Sequence, residues 1–323
     1  MQKTLAVVNL NNLRYNASFV RNILGDKKFY AVVKADGYGH GGASVALAIE
    51  NIVDGFCVAI TDEGAALRLA GITKPVLVLS PPLGKDDVLR AKFYNLTLTV
   101  NSLDTAKLIG CCPCHIKVNT GMNRLGCSLK ELPRILDSLK SVQIEGVYSH
   151  LYDPSDCAAC ERQLELFDRA EELVKGVKPD ACAHLAASGG ILSNTKYLKD
   201  GARCGILLYG YPPEGFKADV KPVLKVFARR TQVTEFIGGG AGYAHARKNY
   251  NYISTYRLGY ADGFARTVPL GENNLCMDAF LRVGGGELLP VLENAEHYAK
   301  RCGTISYEVL CAATRRAEII YEE

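Results

Sequence analysis

The stretch FYAVVKADGYGHGGASVALAIE, residues 29–50, runs from a short apolar segment through a glycine-rich turn into a segment with helical spacing. Similar short apolar segments, rich in Val, Ile, Leu and Tyr, recur along the next 160 or so residues. The strand candidates are Phe29–Lys34, Gly55–Ile60, Pro75–Ser80, Leu96–Val100, His115–Asn119, Ile144–Ser149, Ala181–Ala186 and Gly201–Arg203. Eight strands, most with a helical partner, in about 210 residues predict an N-terminal (β/α)8 TIM-type barrel. A doubly wound open sheet is the alternative, but no G-x-G-x-x-G opens a helix after a strand.

The helical partners carry recognisable start signals. Thr61 opens the segment 61–70 with two acids in its first turn, and Ser102 and Asp156 precede two further segments. Hydroxyl and carboxylate side chains at such positions accept hydrogen bonds from the first backbone N–H groups of a helix. The predicted helices are Asn11–Leu24, Thr61–Ala70, Asn101–Ile109 and Asp156–Val174.

The alternation ends at Pro212, Pro213 and Gly215, which mark a break in the pattern. Beyond this break, strand-like segments follow one another without long helices between them. They are Val223–Thr231, Tyr252–Leu258, Leu275–Val283, Glu287–Val291, Ile305–Leu310 and Glu318–Tyr321. The sequence therefore predicts a barrel over residues 1–214 and a mostly β C-terminal domain over residues 215–323.

Composition excludes several classes of protein. The 323 residues are 48% hydrophobic with a net charge of +4, and the basic residues form no stripe that would favour nucleic acid. No apolar run approaches the roughly 20 residues of a membrane span. The N-terminus lacks a secretory signal, so we expect a cytoplasmic protein.

The twelve cysteines include Cys111, Cys112 and Cys114, and a C-x-x-C pair at Cys157 and Cys160. Zinc binding is the alternative to the reduced thiols that we expect, and no metal is predicted.

Lys34 stands at the end of the first predicted strand, where catalytic groups of a barrel are found. A buried lysine is costly unless it is paired or neutralised, and a Schiff base gives it a chemical reason to be there. The alternative is a lysine at a strand edge whose amine reaches water. Gly37, Gly39, Gly41 and Gly42 follow, and glycines permit close approach of the backbone to a ligand.

Other strand ends contribute polar groups to the same predicted mouth. Lys117 and Arg124 flank a glycine turn and suggest anionic groups of a substrate or cofactor, or else two solvated surface cations. His150 ends the sixth strand. Loops after the seventh and eighth strands of a barrel often hold a phosphate. The candidates for phosphate binding in these loops are Ser188, Gly205 and Ile206, and Arg203 lies beside them on the eighth strand.

These motifs resemble those of a known family. KADGYGHG, residues 34–41, looks like the cofactor-lysine signature of alanine racemases, and IKVNTGMNRLG, residues 116–126, resembles their arginine-bearing loop. GYAHA, GYADGFAR, CMD and TISYEVLC, all after residue 240, resemble stretches of their C-terminal β domain. The matches run in order over nearly the whole chain. The resemblance implies the same barrel and β domain, with the first few residues pairing with the second domain.

The resemblance also implies an activity and a cofactor. The chain would use pyridoxal 5'-phosphate to racemise a small amino acid, L-alanine to D-alanine in particular. Lys34 would carry the cofactor and act as one acid/base group, and Tyr243 would act as the second from the partner subunit of a homodimer. D-alanine for peptidoglycan precursors is the usual product of such enzymes.

The same comparison implies a role for each remaining site residue. Arg203 would face the pyridine nitrogen, and His150 would bridge Arg203 and Tyr243. Arg124 would contact the cofactor's phenolic oxygen and, with the backbone of Met277, the substrate carboxylate. Lys117 matches a lysine that is carbamylated in some members. The phosphate would be held by Tyr38, Ser188, Gly205, Ile206 and Tyr307, and the entrance would be lined by Tyr260 and Asp278.

Three alternatives remain open at this point. The substrate could be serine or a broader set of amino acids. A pyridoxal-phosphate decarboxylase of the same fold is disfavoured by Arg203, because such enzymes typically place a carboxylate near the pyridine nitrogen. A cofactor-binding protein without turnover is disfavoured by the β domain that carries Tyr243.

Overall fold

The computed structural model describes residues 4–323, which form two compact units. One unit comprises Leu13–Gly37 and Gly42–Lys221. The other comprises the chain up to Asn12, the short segment Tyr38–Gly41, and Pro222–Glu323. Within the described residues, no helix combines the length and the apolar character needed to cross a membrane.

Strands and helices are numbered here in chain order. The strands are β1 Leu5–Asn9, β2 Lys28–Val32, β3 Gly55–Val58, β4 Val76–Val78, β5 Leu98–Val100, β6 Cys114–Lys117, β7 Ile144–Tyr148, β8 Cys182–His184, β9 Gly201–Cys204, β10 Leu224–Glu235, β11 Gly240–Ala241, β12 Ala244–His245, β13 Tyr252–Arg257, β14 Phe280–Arg282, β15 Leu288–Leu292 and β16 Glu318–Glu322. The helices are α1 Leu10–Leu24, α2 Lys34–Gly39, α3 Gly42–Ile49, α4 Thr61–Leu69, α5 Lys85–Phe93, α6 Leu103–Leu108, α7 Leu132–Ser138, α8 Cys157–Val177, α9 Ser188–Ser193, α10 Ala295–Cys302 and α11 Ser306–Ala313.

The first unit is the predicted barrel. Its eight parallel strands form two halves, in the orders β4-β3-β2-β9 and β5-β6-β7-β8. A parallel bridge between Leu77 and Thr97 joins the halves on one side. On the other side, the Arg203 N–H donates to the carbonyl of Ala186 over 3.0 Å. The prediction of a (β/α)8 barrel is therefore confirmed. Strands such as β3 and β4 are buried along their whole length, as expected where helices cover a parallel sheet.

Two of the three predicted helix starts are confirmed. The Ser102 hydroxyl accepts from the Thr105 N–H over 3.2 Å, and the Asp156 carboxylate accepts from the Ala159 N–H over 3.0 Å. The prediction for Thr61 is wrong, because the helix is capped at Ile60 and Thr61 is already helical. The Thr61 hydroxyl instead donates to Asp87, which lies on the next helix.

The second unit is mostly β, as predicted. A six-stranded sheet runs in the order β14-β13-β10-β1-β16, and β15 also pairs with β10. Strand β1 pairs antiparallel with β10 and parallel with β16, while residues 1–3 lie outside the described part of the chain. The predicted strand Ile305–Leu310 is wrong, since Ser306–Ala313 is a helix. A short apolar run does not distinguish a strand from a buried helix by its periodicity alone.

Candidate active site

Lys34 does not end a strand, as the sequence predicted, because β2 stops at Val32 and Lys34 is the first residue of α2. The rest of this helix is left-handed: φ is +52° at Ala35, +50° at Asp36 and +52° at Tyr38, and positive also at the two glycines between and after them. Left-handed helical residues with a Cβ cost roughly 1–2 kcal/mol each. Backbone strain of this kind concentrates at functional sites, where the surroundings must hold it.

Several contacts fix this left-handed turn. The Ala35 N–H donates to the Glu63 carboxylate over 2.7 Å, and the Asp36 carboxylate accepts from the Gly42 N–H over 2.7 Å. Gly39 has φ +80°, and a Cβ there would lie 2.5 Å from the carbonyl oxygen of Leu310. This clash requires glycine at position 39. The turn therefore directs Lys34 by local hydrogen bonds and by close backbone contact.

Arg203 lies inside the barrel and is only 3% exposed. One of its terminal nitrogens is 2.7 Å from His184 Nδ1 and 2.8 Å from the His184 carbonyl oxygen. The other donates to the Ser149 carbonyl over 2.5 Å and lies 3.4 Å from His150 Nδ1. Arginine only donates hydrogen bonds, so both imidazoles accept on Nδ1.

A buried chain continues from Arg203 through two histidines. Because His184 accepts on Nδ1, its proton is on Nε2, which lies 2.7 Å from His115 Nδ1. The ring of Tyr148 stacks on His184 with a centroid distance of 5.0 Å, and the Arg203 guanidinium lies 4.9 Å from the same ring. Sequence reasoning missed His115, Tyr148 and His184. The alternation of His115 with Lys117 on one strand could have revealed the first, since residues two apart share a face.

The electrostatics of this interior are strongly positive. Burial, followed by the charges of Arg203, Arg124 and Lys34, lowers the pKa of Lys117 to about 8. Burial and Arg203 lower the pKa of His115 to about 3, and burial and nearby cations hold the pKa of His150 well below its usual value. The histidines are therefore neutral at physiological pH. The charge of Arg124 therefore acts on Lys117, although the Arg124 side chain is exposed.

These buried histidines predict a loss of stability in acid. Below pH 6.5 the unfolded chain protonates its histidines, but folded His115, His150 and His184 stay neutral because their pKa values are lowered. Each one then reduces the free energy of unfolding by about 1.4 kcal/mol per pH unit as the pH falls toward its folded pKa, and has no effect above 6.5. Urea unfolding at several pH values between about 5 and 6.5 should show this slope. His115→Gln should reduce this slope, and an unchanged slope for His115→Gln would contradict this account.

The predicted phosphate ligands of the barrel follow its last two strands, β8 and β9. The Ser188 hydroxyl, at the start of α9, accepts from the Gly205 N–H over 3.2 Å. Gly205 leads into a 3-10 turn that begins at Ile206. Ser188, Gly205 and Ile206 are buried in the barrel unit, so the structure brings these three predicted phosphate ligands together.

Six predicted site residues belong to the second unit. The rings of Tyr38 and Tyr307 lie close together, with centroids 6.1 Å apart. Met277 and Asp278 lie beside Tyr260, because the Tyr260 N–H donates to the Cys276 carbonyl and the Ala261 N–H donates to the Met277 carbonyl. Tyr243 is 86% exposed at the tip of the β11–β12 hairpin.

An arginine that sequence reasoning missed organises the Met277–Asp278 loop. Arg316 forms a 2.6 Å ion pair with Asp278, and its Nε lies 3.5 Å from the carboxylate of Asp262. Asp262 is buried and also accepts from the Gly259 N–H over 2.8 Å. No sequence motif signalled these contacts, which join residues up to 54 positions apart.

Metal binding finds no support in the described residues 4–323, where no group of three or more His, Cys, Asp or Glu side chains is arranged to hold an ion. The twelve cysteines are all free thiols. Six of them are buried, namely Cys57, Cys112, Cys114, Cys127, Cys160 and Cys204. These six thiols are therefore part of the packing.

Known proteins resemble this chain over nearly its full length. The family model "Alanine racemase, N-terminal domain" matches residues 8–213. Alanine racemase from Streptococcus equi subsp. equi is 32% identical, over 97% of this chain and 96% of its own. The enzyme of the same name from a Geobacter species is 33% identical over 98% of both chains. Among solved structures, alanine racemase from Clostridium difficile superposes with a TM-score of 0.90 at 29% identity, covering 100% of this chain and 96% of the other.

Proposed function

The chain belongs to the alanine racemase family, and from this membership we propose that it inverts alanine with two acid/base groups, Lys34 and Tyr243 of the partner subunit. It is an isomerase that uses pyridoxal phosphate and catalyses alanine racemisation. The two-base assignment is supported by one observation above others. Tyr243 is 86% exposed at a hairpin tip, where a phenol can enter another subunit.

The side chains of the barrel fit pyridoxal phosphate. They include the amine of Lys34 at the start of α2, a buried guanidinium, and a hydroxyl that accepts from the Gly205 amide. We propose that Lys34 holds the cofactor covalently and that Arg203 faces its pyridine nitrogen. The phosphate ligands in this proposal are Tyr38, Ser188, Gly205, Ile206 and Tyr307. The cofactor, when bound, supplies the electron sink that makes an α-proton removable.

Racemisation requires that a proton leave one face of the α-carbon and that a proton be delivered to the other. In this proposal Lys34 serves one face and Tyr243 of the partner subunit serves the other. A phenol with an ordinary pKa near 10 is a weak base at neutral pH. His150 accepts from Arg203 on Nδ1, at 3.4 Å, and so carries its proton on Nε2. From there it would donate a hydrogen bond to the phenolate and make that phenolate easier to form.

Arg203 has a second consequence in this proposal. Its hydrogen bonds to His184 and to the Ser149 carbonyl fix the guanidinium inside the barrel. A guanidinium donates hydrogen bonds and keeps its protons, so it leaves the facing pyridine nitrogen unprotonated. We infer that this weakens electron withdrawal and disfavours side reactions such as transamination.

The substrate carboxylate would be bound by Arg124 and by the backbone of Met277, and Tyr260 and Asp278 would line the entrance. The Arg316–Asp278 ion pair supports this assignment, since it fixes the loop that carries Met277. We further propose a cytoplasmic homodimer that supplies D-alanine for peptidoglycan. In it, residues 1–214 hold most of the cofactor, while residues 215–323 contribute Tyr307 and complete the site of the partner subunit.

A racemisation assay tests this function. The holoenzyme is incubated with single L-amino acids, and formation of each D-enantiomer is followed by chiral chromatography. We expect D-alanine to form faster than D-serine. Faster inversion of serine would change the substrate assignment, and cofactor binding without inversion of either would leave only a binding protein.

Lys117 is expected to carry a carbamate. Its amine has a pKa lowered to about 8, so a substantial neutral fraction exists near neutral pH and can add CO2, losing one proton. The resulting anion would pair with Arg124 and relieve the repulsion between two cations. Protein equilibrated with 13C-bicarbonate should show a carbamate carbon resonance by NMR. Lys117→Arg should lack it, because a guanidinium stays protonated; a wild-type spectrum without the resonance would contradict the expectation.

A further inference from the structure

Tyr243 sits on a hairpin that is too small to hold its own shape. Strands β11 and β12 have two residues each, with Gly240 opposite His245 and Ala241 opposite Ala244. Gly242, at the first central position of the turn, has φ +70°, which is the pattern of a type II′ turn. Two-stranded hairpins are marginal in water even when they are longer. The position of Tyr243 must therefore be set by neighbouring residues.

Asn273 provides the most direct support for this hairpin. Its side-chain amide donates to the carbonyl of Ala241 over 2.9 Å and lies 3.4 Å from the carbonyl of His245. These carbonyls belong to different strands of the hairpin. One NH2 group carries two hydrogens, so a single side chain ties both strands together.

The segment that carries Asn273 is itself anchored. Glu272 accepts from the Tyr250 hydroxyl over 2.7 Å, and its N–H donates to the Leu281 carbonyl over 2.8 Å. Tyr250 packs with Ala241 and Ile253 in a buried cluster. The amide of Asn273 therefore extends from a fixed backbone, and its hydrogen bonds constrain the hairpin.

The same segment leads to the proposed carboxylate contact. A Cβ at Gly242 would lie 3.2 Å from Cys276 Sγ, so the turn packs against the residue before Met277. The Cys276 carbonyl is held by the Tyr260 N–H over 3.1 Å. Residues 272–277 thus contact the hairpin of Tyr243 and also carry Met277.

We propose that Asn273 is a positioning residue for catalysis, which sets the phenol of Tyr243 relative to the backbone of Met277. This inference rests on the proposed function, since it needs Tyr243 to be one of the two acid/base groups. Asn273 contacts only the hairpin backbone and takes no part in proton transfer itself. Its loss should therefore slow the proton step at Tyr243 and leave the step at Lys34 intact.

Asn273→Leu removes both hydrogen bonds at nearly constant size, and Asn273→Asp replaces the donor with an acceptor that repels the two carbonyls. The exposed neighbour Asn274, changed to Leu, is the matched control. Small displacements of a catalytic group cost up to about 100-fold in rate. We expect kcat/KM of the holoenzyme to fall roughly 10- to 100-fold for both Asn273 variants and to stay unchanged for the control.

Solvent exchange distinguishes positioning from a general structural effect. Each enantiomer is incubated in D2O, and deuterium at the α-carbon is measured in recovered substrate and in product. One enantiomer loses its proton to Lys34. When Tyr243 is misplaced, this deprotonated substrate should more often be reprotonated by Lys34 on the same face. The recovered substrate should then contain deuterium taken from the exchangeable amine. The opposite enantiomer should show no such increase, so the two directions become asymmetric.

The outcomes separate the two proposals. Unchanged kcat/KM in Asn273→Leu and Asn273→Asp overturns the positioning role, as does a lowered melting temperature or rate without any change in exchange asymmetry. If Asn273→Leu does not fold, Asn273→Asp is judged by the same two readouts. Failure of the proposed function shows differently, in the unaltered enzyme: no D-alanine is formed, or Tyr243→Phe keeps full activity.

Discussion

Lys34→Ala should lose racemisation altogether, by a factor of at least about 10⁴, and should also lose the visible absorption of lysine-bound pyridoxal phosphate. Two effects combine at this residue. The amine holds the cofactor, and the same amine serves one face of the α-carbon. The left-handed turn that begins at Lys34 directs this side chain, so an amine elsewhere does not replace it.

Activity and absorbance spectra of the purified variant test this prediction. Lys130→Ala, at an exposed position, should match the unaltered protein in both measurements. A visible band that persists in Lys34→Ala would refute the lysine assignment. A band that disappears while racemisation continues would separate the two roles and exclude Lys34 as an acid/base group.

Tyr243→Phe should reduce kcat/KM by roughly 10²- to 10⁴-fold, which is the usual contribution of one acid/base group. The visible band should remain, because Tyr243 takes no part in holding the cofactor. The two enantiomers have equal free energies, so the loss must be equal in both directions. The exposed Tyr252→Phe serves as the control.

A mixing experiment tests whether the site is shared between subunits. In a Lys34→Ala/Tyr243→Phe mixed dimer, one of the two sites keeps both an intact lysine and an intact tyrosine. Random reassortment of equal amounts makes half of the dimers mixed, so about a quarter of full activity should return. If the mixture stays as inactive as its components although the subunits exchange, Tyr243 does not act across a subunit boundary.

The sequence predicted the barrel well because its strands are buried on both faces and read as continuous apolar runs. It extended most strands too far, however, and it placed Lys34 on a strand. The left-handed turn was not predictable, since Ala35 and Tyr38 have no intrinsic preference for positive φ. Hydrogen bonds to Glu63 and Gly42 impose that conformation. The backbone preferences of single residues do not predict hydrogen bonds of this kind.

In the candidate site, too, some residues were predictable from the sequence and others were not. Residues at strand ends, such as Lys117 and Arg203, are visible in the sequence because a charge interrupts an apolar pattern. His184, Asn273 and Arg316 act through partners distant in sequence, and their types are unremarkable at their positions. Their contribution becomes visible only when the fold brings hydrogen-bonding atoms within about 3 Å.

The turn after Lys34 also constrains how such enzymes can recombine. Tyr38–Gly41 lies between two parts of the barrel in sequence, yet it groups with the C-terminal unit, where Gly39 fits against Leu310 and Thr314. A chimera joined near residue 221 would combine this tetrapeptide with foreign residues at positions 310 and 314. The chain up to Asn12 groups with the same unit. Exchanging the C-terminal unit between homologues therefore requires that this first segment and residues 38–41 be exchanged with it, so the genetic crossover must occur at four points and not at one.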